Sequence, residues 1–150
     1  MMAFRSVSLA VMAALAICVM AAGSFAADKP HRLALQISDN SKDKMTAVLN
    51  VAANVSKHYA AKGEQVEIRI VAFNAGLHML RSDTSPVKDR VMSFAKGMPN
   101  VAFNACGNTI EGMTKREGKP VPIIADASVV PAGVVTLMEL NEAGWTVLRP

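Results

Sequence analysis

Apolar residues follow two different periods along the chain, one typical of strands and the other of helices. Residues 32–38 alternate into an apolar run that stops at the polar residues 39–41, which predicts a strand, a turn and a helix cap. Within 43–62 apolar residues recur at spacings of three and four, which predicts a long helix with one buried face that ends at Gly63. The β-branched run 67–73 predicts a second strand.

The remaining chain continues this alternation of helices and strands. We predict a helical turn at 77–80, a helix opened by Pro86 and a strand at 101–105. A helix follows, capped by Asn108, with the Glu111 side chain reaching back to the cap. The last predicted elements are a strand within 121–130, a helix at 132–141 and a strand at 145–148. Strands that alternate with helices favour parallel pairing through crossovers. The sequence therefore predicts an α/β fold, a three-layer sandwich with a mostly parallel five-stranded sheet flanked by helices.

The amino-terminal segment has a composition of its own. Residues 6–27 contain no charged residue, follow Arg5, and end in small residues that include Ser24 and Ala26. This is the layout of a secretory signal peptide. We expect residues 1–26 to be that signal, residues 27–150 to be a single domain, and the protein to be periplasmic without stable membrane insertion after cleavage. An uncleaved membrane anchor is the alternative, because 22 uncharged residues are long enough to span a bilayer.

Removal of that segment changes the charge and the cysteine count. The formal net charge of +4 (16 Lys and Arg against 12 Asp and Glu) becomes +3 without Arg5, which argues against a nucleic-acid binder. Cys18 is lost with the signal, so Cys106 is the one cysteine of the predicted mature protein. In an oxidising compartment such a thiol is buried, paired between chains or chemically employed.

The candidate site lies at the carboxyl ends of the predicted strands, where ligands of parallel sheets collect. Cys106 follows one of these strands and precedes a helix, and a helix amino terminus favours thiolate over thiol. We therefore predict Cys106 as a nucleophile; the alternative is a small buried core residue. The expected ligand-binding neighbours, which would supply hydrogen bonds or adjoin the site, are Asn74, His78, Asn104, Asn108 and Thr109.

Other chemistry finds little support in the sequence. His31, His58 and His78 show no metal-ligand spacing with one another or with Cys106, so no metal site is predicted. The chain contains no GxGxxG, GxxxxGK[ST] or GxSxG motif, so we expect no cofactor.

Three stretches together resemble the DsrE/DsrF-like family: VAFNACGNT at 101–109, AGLHML at 75–80, and the closing segment from VPAGVV at 130–135 to Pro150. The resemblance implies a parallel five-stranded sheet between helices and homo-oligomers, usually trimers or hexamers. It also implies a persulfide-carrying cysteine in a sulfur relay, and Cys106 occupies the matching position.

Two classes of function remain open at this point. The first is a sulfur carrier, at most a sulfurtransferase-type protein, that receives sulfur from a donor protein and passes it to an acceptor. The second is a non-catalytic oligomeric module that binds a small ligand or a partner. A disulfide between chains through Cys106 is a third expectation, which non-reducing electrophoresis tests.

Overall fold

The computed structural model describes residues 29–150. The predicted signal peptide at 1–26 lies outside the described residues. Within 29–150, no helix combines the length and the apolar character needed to cross a membrane.

Strands and helices alternate along the described chain. The strands are β1 (His31–Ile37), β2 (Val66–Ala72), β3 (Val101–Cys106), β4 (Ala127–Val130) and β5 (Thr146–Leu148). The helices are α1 (Lys42–Lys62), α2 (Lys88–Gly97), α3 (Gly107–Glu117) and α4 (Gly133–Glu142), with a 3₁₀ helix at Asn74–Leu80 between β2 and α2. The ends of α1 follow the sequence signals, since Ser41 caps its start and Gly63 ends it in the left-handed conformation at φ 71°.

The five strands form one sheet in the order β4-β3-β2-β1-β5, and each neighbouring pair is parallel. Ile70 of β2 lies at the centre, paired with Leu35 on one side and Phe103 on the other. All three side chains are buried, as expected for a parallel sheet that is covered on both faces. This arrangement confirms the predicted α/β three-layer sandwich.

The two faces of the sheet have cores of very different size. The larger core joins the sheet to α1, α2 and the 3₁₀ helix around residues such as Leu49 and Phe103. The smaller core lies under α4 and consists of Ala34, Val71, Phe73, Cys106, Leu137 and Trp145. Since neighbouring strand residues point to opposite faces, Ala105 belongs to the larger core and Cys106 to the smaller one.

A buried arginine fastens the carboxyl end of α3 to the chain after the 3₁₀ helix. The Arg81 side chain is 3% exposed and pairs with both Asp83 and Glu117. Its Nη2 lies 2.8 Å from Asp83 Oδ2 and 3.0 Å from Glu117 Oε2. The hydrogen bonds from Arg81 lower the pKa of Asp83 to about 2. The ion pair with Glu117 joins Arg81 to the last residue of α3, the helix that follows Cys106.

Two boundaries differ from the sequence predictions. The strand predicted within 121–130 is confined to Ala127–Val130; ahead of it, Ile123 makes an isolated antiparallel bridge to Arg81. Pro122 cannot donate a backbone hydrogen bond, which limits strand pairing in this stretch. The predicted cap Asn108 is also wrong, because α3 begins at Gly107 and Cys106 itself is the N-cap residue.

Candidate functional site

Cys106 lies where β3 passes directly into α3. It is the last residue of the strand and the N-cap of the helix, in an extended conformation with φ −71° and ψ 116°. Gly107 allows this tight junction, since a Cβ there would lie 3.0 Å from the carbonyl oxygen of Val130. The thiol therefore lies against the first turn of α3, where backbone N–H groups lack partners within the helix.

A second helix begins at the same thiol. The backbone N–H of Gly133, the first residue of α4, donates a hydrogen bond to Cys106 Sγ over 3.2 Å. A Cβ at this position would lie 3.1 Å from Phe73 Cβ and 3.2 Å from Cys106 Cβ. Glycine therefore brings the amino end of α4 onto the sulfur, and the positive ends of two helix dipoles meet there.

These donors change the acidity of Cys106. Burial raises the pKa of the thiol, but the nearby Thr109 hydroxyl, the N–H of Gly133 that donates to the sulfur, and the N–H groups of Thr109 and Asn108 in the first turn of α3 lower it by more. The net effect is a pKa below the ordinary cysteine value. The site therefore favours the thiolate, which is the nucleophilic form.

Thr109 is itself oriented by the chain that follows β2. The backbone N–H of Asn74 donates to Thr109 Oγ1 over 3.0 Å, which leaves the hydroxyl proton free to point at the sulfur. Asn74 has φ 49°, in the left-handed region that residues other than glycine rarely adopt. A strained residue at the carboxyl end of β2 thus positions the hydroxyl that acidifies the thiol.

A pocket of about 310 Å³ opens over Cys106. Its lining residues are Phe73, Asn74, Cys106, Asn108, Thr109, Gly112, Arg116, Ala132, Gly133 and Val134. Cys106 is only 5% exposed, so a reactant reaches the sulfur through this pocket. The arrangement suits attack by a thiolate on a small electrophile, with amide and hydroxyl groups around it.

The structure brings together three of the five predicted ligand-binding residues. Asn74, Asn108 and Thr109 line the pocket with Cys106. Asn104 does not; it lies two residues earlier on the same strand, 3% exposed, and its Oδ1 has no hydrogen-bond partner within residues 29–150. His78 also lies outside the lining, and its Nδ1 is 2.8 Å from Thr84 Oγ1.

Sequence reasoning missed two residues of the pocket that bear on its chemistry. Gly133 begins α4 just after the strand that ends at Val130. A helix start beyond a strand end is where ligands of parallel sheets collect, so this position could have identified Gly133 from the sequence. Gly112 follows Thr109 by three residues and Arg116 follows Gly112 by four, which places all three on one face of α3. Within residues 29–150, no cluster of three or more His, Cys, Asp or Glu side chains forms a candidate metal site.

Comparison with known proteins supports the fold and says nothing of the activity. No family model and no curated protein matches the chain. Among solved structures, it is similar to MTH1491 from Methanobacterium thermoautotrophicum, described as a protein of unknown function, at 25% sequence identity and a TM-score of 0.67. The match covers 80% of this chain and 99% of that one.

Proposed function

We propose that the protein is a DsrE-like sulfur carrier in which Cys106 accepts sulfur as a persulfide and passes it to an acceptor. The observation that carries the proposal is the convergence of two helix amino termini on one thiol in an open pocket. A buried cysteine with a purely structural role has no need of hydrogen-bond donors, because its thiol packs as a small apolar group. Here Gly133 N–H donates to the sulfur.

The carrier chemistry uses two sets of hydrogen-bond donors around Cys106. In the resting protein the Thr109 hydroxyl and the Gly133 N–H stabilise the Cys106 thiolate, which attacks the sulfane sulfur of a donor molecule. After transfer, the negative charge lies mainly on the terminal sulfur of the persulfide. That sulfur extends into the pocket, where the amide groups of Asn74 and Asn108 are available to solvate it.

The proposal includes an exported, oligomeric protein. Residues 1–26 would direct it to the periplasm, and copies would assemble as trimers or hexamers. Support for assembly comes from α4, where Val134, Val135 and Met138 are 53%, 49% and 58% exposed. Adjacent exposed apolar side chains on one helix are typical of a surface that is covered by a partner.

The direct test is persulfide loading of the purified protein. Incubation with a sulfane-sulfur donor should add 32 Da to the intact mass, a mass gain that dithiothreitol reverses. Cys106→Ser should show no gain while its circular dichroism stays unchanged. Loading that is absent from the wild type, or equal in the variant, contradicts the proposal.

A second candidate is a non-catalytic binding or assembly module. The 5% exposure of Cys106 and the apolar surface of α4 favour it. It predicts that a neutral thiol reagent labels Cys106 only after unfolding, and that Cys106→Ala retains the biological role. Labelling of the folded protein at a rate comparable to that of a free thiol excludes it.

A further inference from the structure

Arg116 brings a positive charge to the pocket of Cys106. It lies in the last turns of α3, is exposed, and contributes to the pocket lining. Its Nη1 lies 3.5 Å from the place where a Cβ on Gly112 would be, so the side chain folds back along the helix. Long helical side chains lean toward the helix amino terminus, and here that end carries Cys106.

No protein group neutralises this charge in the described part of the chain. The other polar side chains of the lining belong to Asn74, Asn108 and Thr109, which are uncharged, and the lining includes no carboxylate. The neighbouring Lys115 differs, since its Nζ is paired with Glu111 at 2.6 Å. Within residues 29–150, Arg116 makes no ion pair, so its guanidinium is available to a ligand.

We infer that the pocket selects small anionic sulfane-sulfur donors of the thiosulfonate class, with inorganic thiosulfate as the simplest member, and that Arg116 is the residue that selects them. This inference rests on the proposed function. The oxyanion end would be bound by the Arg116 guanidinium, with its fork of N–H donors, and the sulfane end would face Cys106.

The dimensions of the pocket agree with such a donor. Gly112, beside which the guanidinium lies, is six positions after Cys106, and at about 1.5 Å per residue this amounts to roughly 9 Å along the helix axis. A reacting sulfur about 3.5 Å from Sγ and an oxygen about 3 Å from the guanidinium take up most of that distance. The remainder suits a dianion of a few heavy atoms, and the pocket volume of about 310 Å³ accommodates it.

The transfer step balances without another reactant. The Cys106 thiolate attacks the sulfane sulfur of thiosulfate, a new sulfur–sulfur bond forms, and the old one breaks. Sulfite leaves with the bonding electron pair, and Cys106 carries a persulfide anion. The total charge is −3 before and after the step by simple addition of one thiolate and one dianion. No proton and no external oxidant are required.

A charge series of methanethiosulfonate reagents tests the role of Arg116 separately from the reactivity of Cys106. The reagents are the neutral methyl, anionic sulfonatoethyl and cationic trimethylammonioethyl compounds, and each forms a disulfide with the thiolate. Arg116→Gln should lower the ratio of anionic to cationic rates by about fivefold or more, because one nearby positive charge is lost. Its rate with the neutral reagent should change less than about twofold, since the thiolate itself is intact.

Lys115→Gln is the matched control, because it removes the same charge from the adjacent residue without touching the pocket. It should leave the rate ratio within about twofold of the wild type, and Arg116→Lys should restore part of the ratio. Equal effects of the two Gln variants overturn the inference. A folded wild type that fails to react with the neutral reagent contradicts the proposed function as well.

Thiosulfate itself provides the second measurement. Sulfite release and the 32 Da gain should appear together in the wild type, and Arg116→Gln should need a several-fold higher thiosulfate concentration for half-maximal loading. The alternative donor is a neutral organic trisulfide with one equivalent of a small thiol: Cys106 takes two sulfurs of the trisulfide and releases the organic thiolate, and the small thiol then removes the remaining organic end as a disulfide. If this treatment leaves a persulfide on Cys106 but thiosulfate does not, the carrier function stands and the anionic donor class is wrong.

Discussion

The backbone N–H of Gly133 lies 3.2 Å from the Sγ of Cys106, although 27 residues separate them in the chain. Two parallel strands that end side by side, β3 and β4, make this contact, since Cys106 pairs with Val130 and α4 starts three residues further on. The acidity of the thiol therefore depends on the position of a helix that belongs to another part of the sequence.

Gly133→Ala should raise the pKa of Cys106 and destabilise the protein. The new methyl group would lie 3.1 Å from Phe73 Cβ and 3.2 Å from Cys106 Cβ, so α4 has to move away from the sulfur. Crowding of this kind costs about 1–3 kcal/mol of the free energy of unfolding. The measurements are urea unfolding and the pH dependence of thiolate absorbance near 240 nm.

The matched control is Gly97→Ala at the end of α2, where a Cβ meets nothing within 4 Å. It should leave the thiol pKa unchanged and stabilise the protein slightly or not at all. A Gly133→Ala protein with the wild-type pKa would show that the α4 terminus has no influence on the sulfur.

Removal of the Thr109 hydroxyl should shift the pH profile of Cys106 reactivity to higher pH. After burial, which raises the pKa of the thiol, the strongest influence is the hydrogen bond from this hydroxyl, which lowers it. Thr109→Val deletes the donor, whereas Thr109→Ser keeps both the donor and the acceptor for Asn74 N–H. The rate of reaction with a neutral thiol reagent, measured from pH 5 to 10, should therefore shift for Val and remain near wild type for Ser.

The same lowered pKa links stability to pH. Because the folded-state pKa of Cys106 is below the unfolded-state value, thiolate formation stabilises the fold. This contribution is complete above the unfolded-state pKa and is lost as the pH falls through the folded-state pKa. Thr109→Val should reduce this pH dependence. If the wild type and Thr109→Val show the same dependence of stability on pH, the Thr109 hydroxyl does not lower the pKa of Cys106.

Much of the fold follows from the sequence because its signals are local. Helix α1 shows an apolar period with a polar cap and a closing glycine, and β1 to β3 are short segments rich in apolar residues. Reasoning from strand ends puts Cys106 and Asn74 at one site, and both line the same pocket, but α3 starts two residues earlier than predicted. His78 lies outside the pocket lining, and its ring contacts Thr84 instead.

The contacts that were not predicted depend on long-range packing. Gly133 reaches Cys106 only because β4 pairs with β3, and the pairing order of strands has no local signal. Arg81 gave no sign of burial either, since its partner Glu117 is 36 residues away. Its two ion pairs become apparent only once α3 lies beside the 3₁₀ helix.

Arg81→Met should destabilise the protein far more than loss of a surface arginine. The Arg81 side chain is 3% exposed and pairs with two carboxylates, and its removal leaves these close together without a cation. We expect a loss of about 2–3 kcal/mol in the free energy of unfolding at pH 7. Arg149→Met, which breaks the surface pair with Asp39, should leave the free energy of unfolding nearly unchanged, because water screens such a pair.

The Arg81 variant should also respond differently to acid. Asp83 has a pKa of about 2 because Arg81 hydrogen-bonds it, so its stabilising effect is present above the unfolded-state pKa near 4 and is lost as the pH falls through about 2. Arg81→Met should lack this loss between pH 4 and 2. If the free energy of unfolding falls equally between pH 4 and 2 in the wild type and in Arg81→Met, the ion pair between Arg81 and Asp83 does not form in solution.

The proposed assembly through α4 predicts a change of oligomeric state on substitution of its exposed apolar residues. Met138 is 58% exposed and lies one turn after Val134, which lines the Cys106 pocket. Met138→Glu should reduce the mass measured by light scattering from that of a trimer or hexamer to that of a single chain, because a desolvated carboxylate opposes association. Leu148→Glu is the control: this residue is 48% exposed and lines a different pocket, between β5 and α1, so its variant should retain the oligomer. If the wild type is itself a single chain, α4 is a free surface and the oligomeric part of the proposal is wrong.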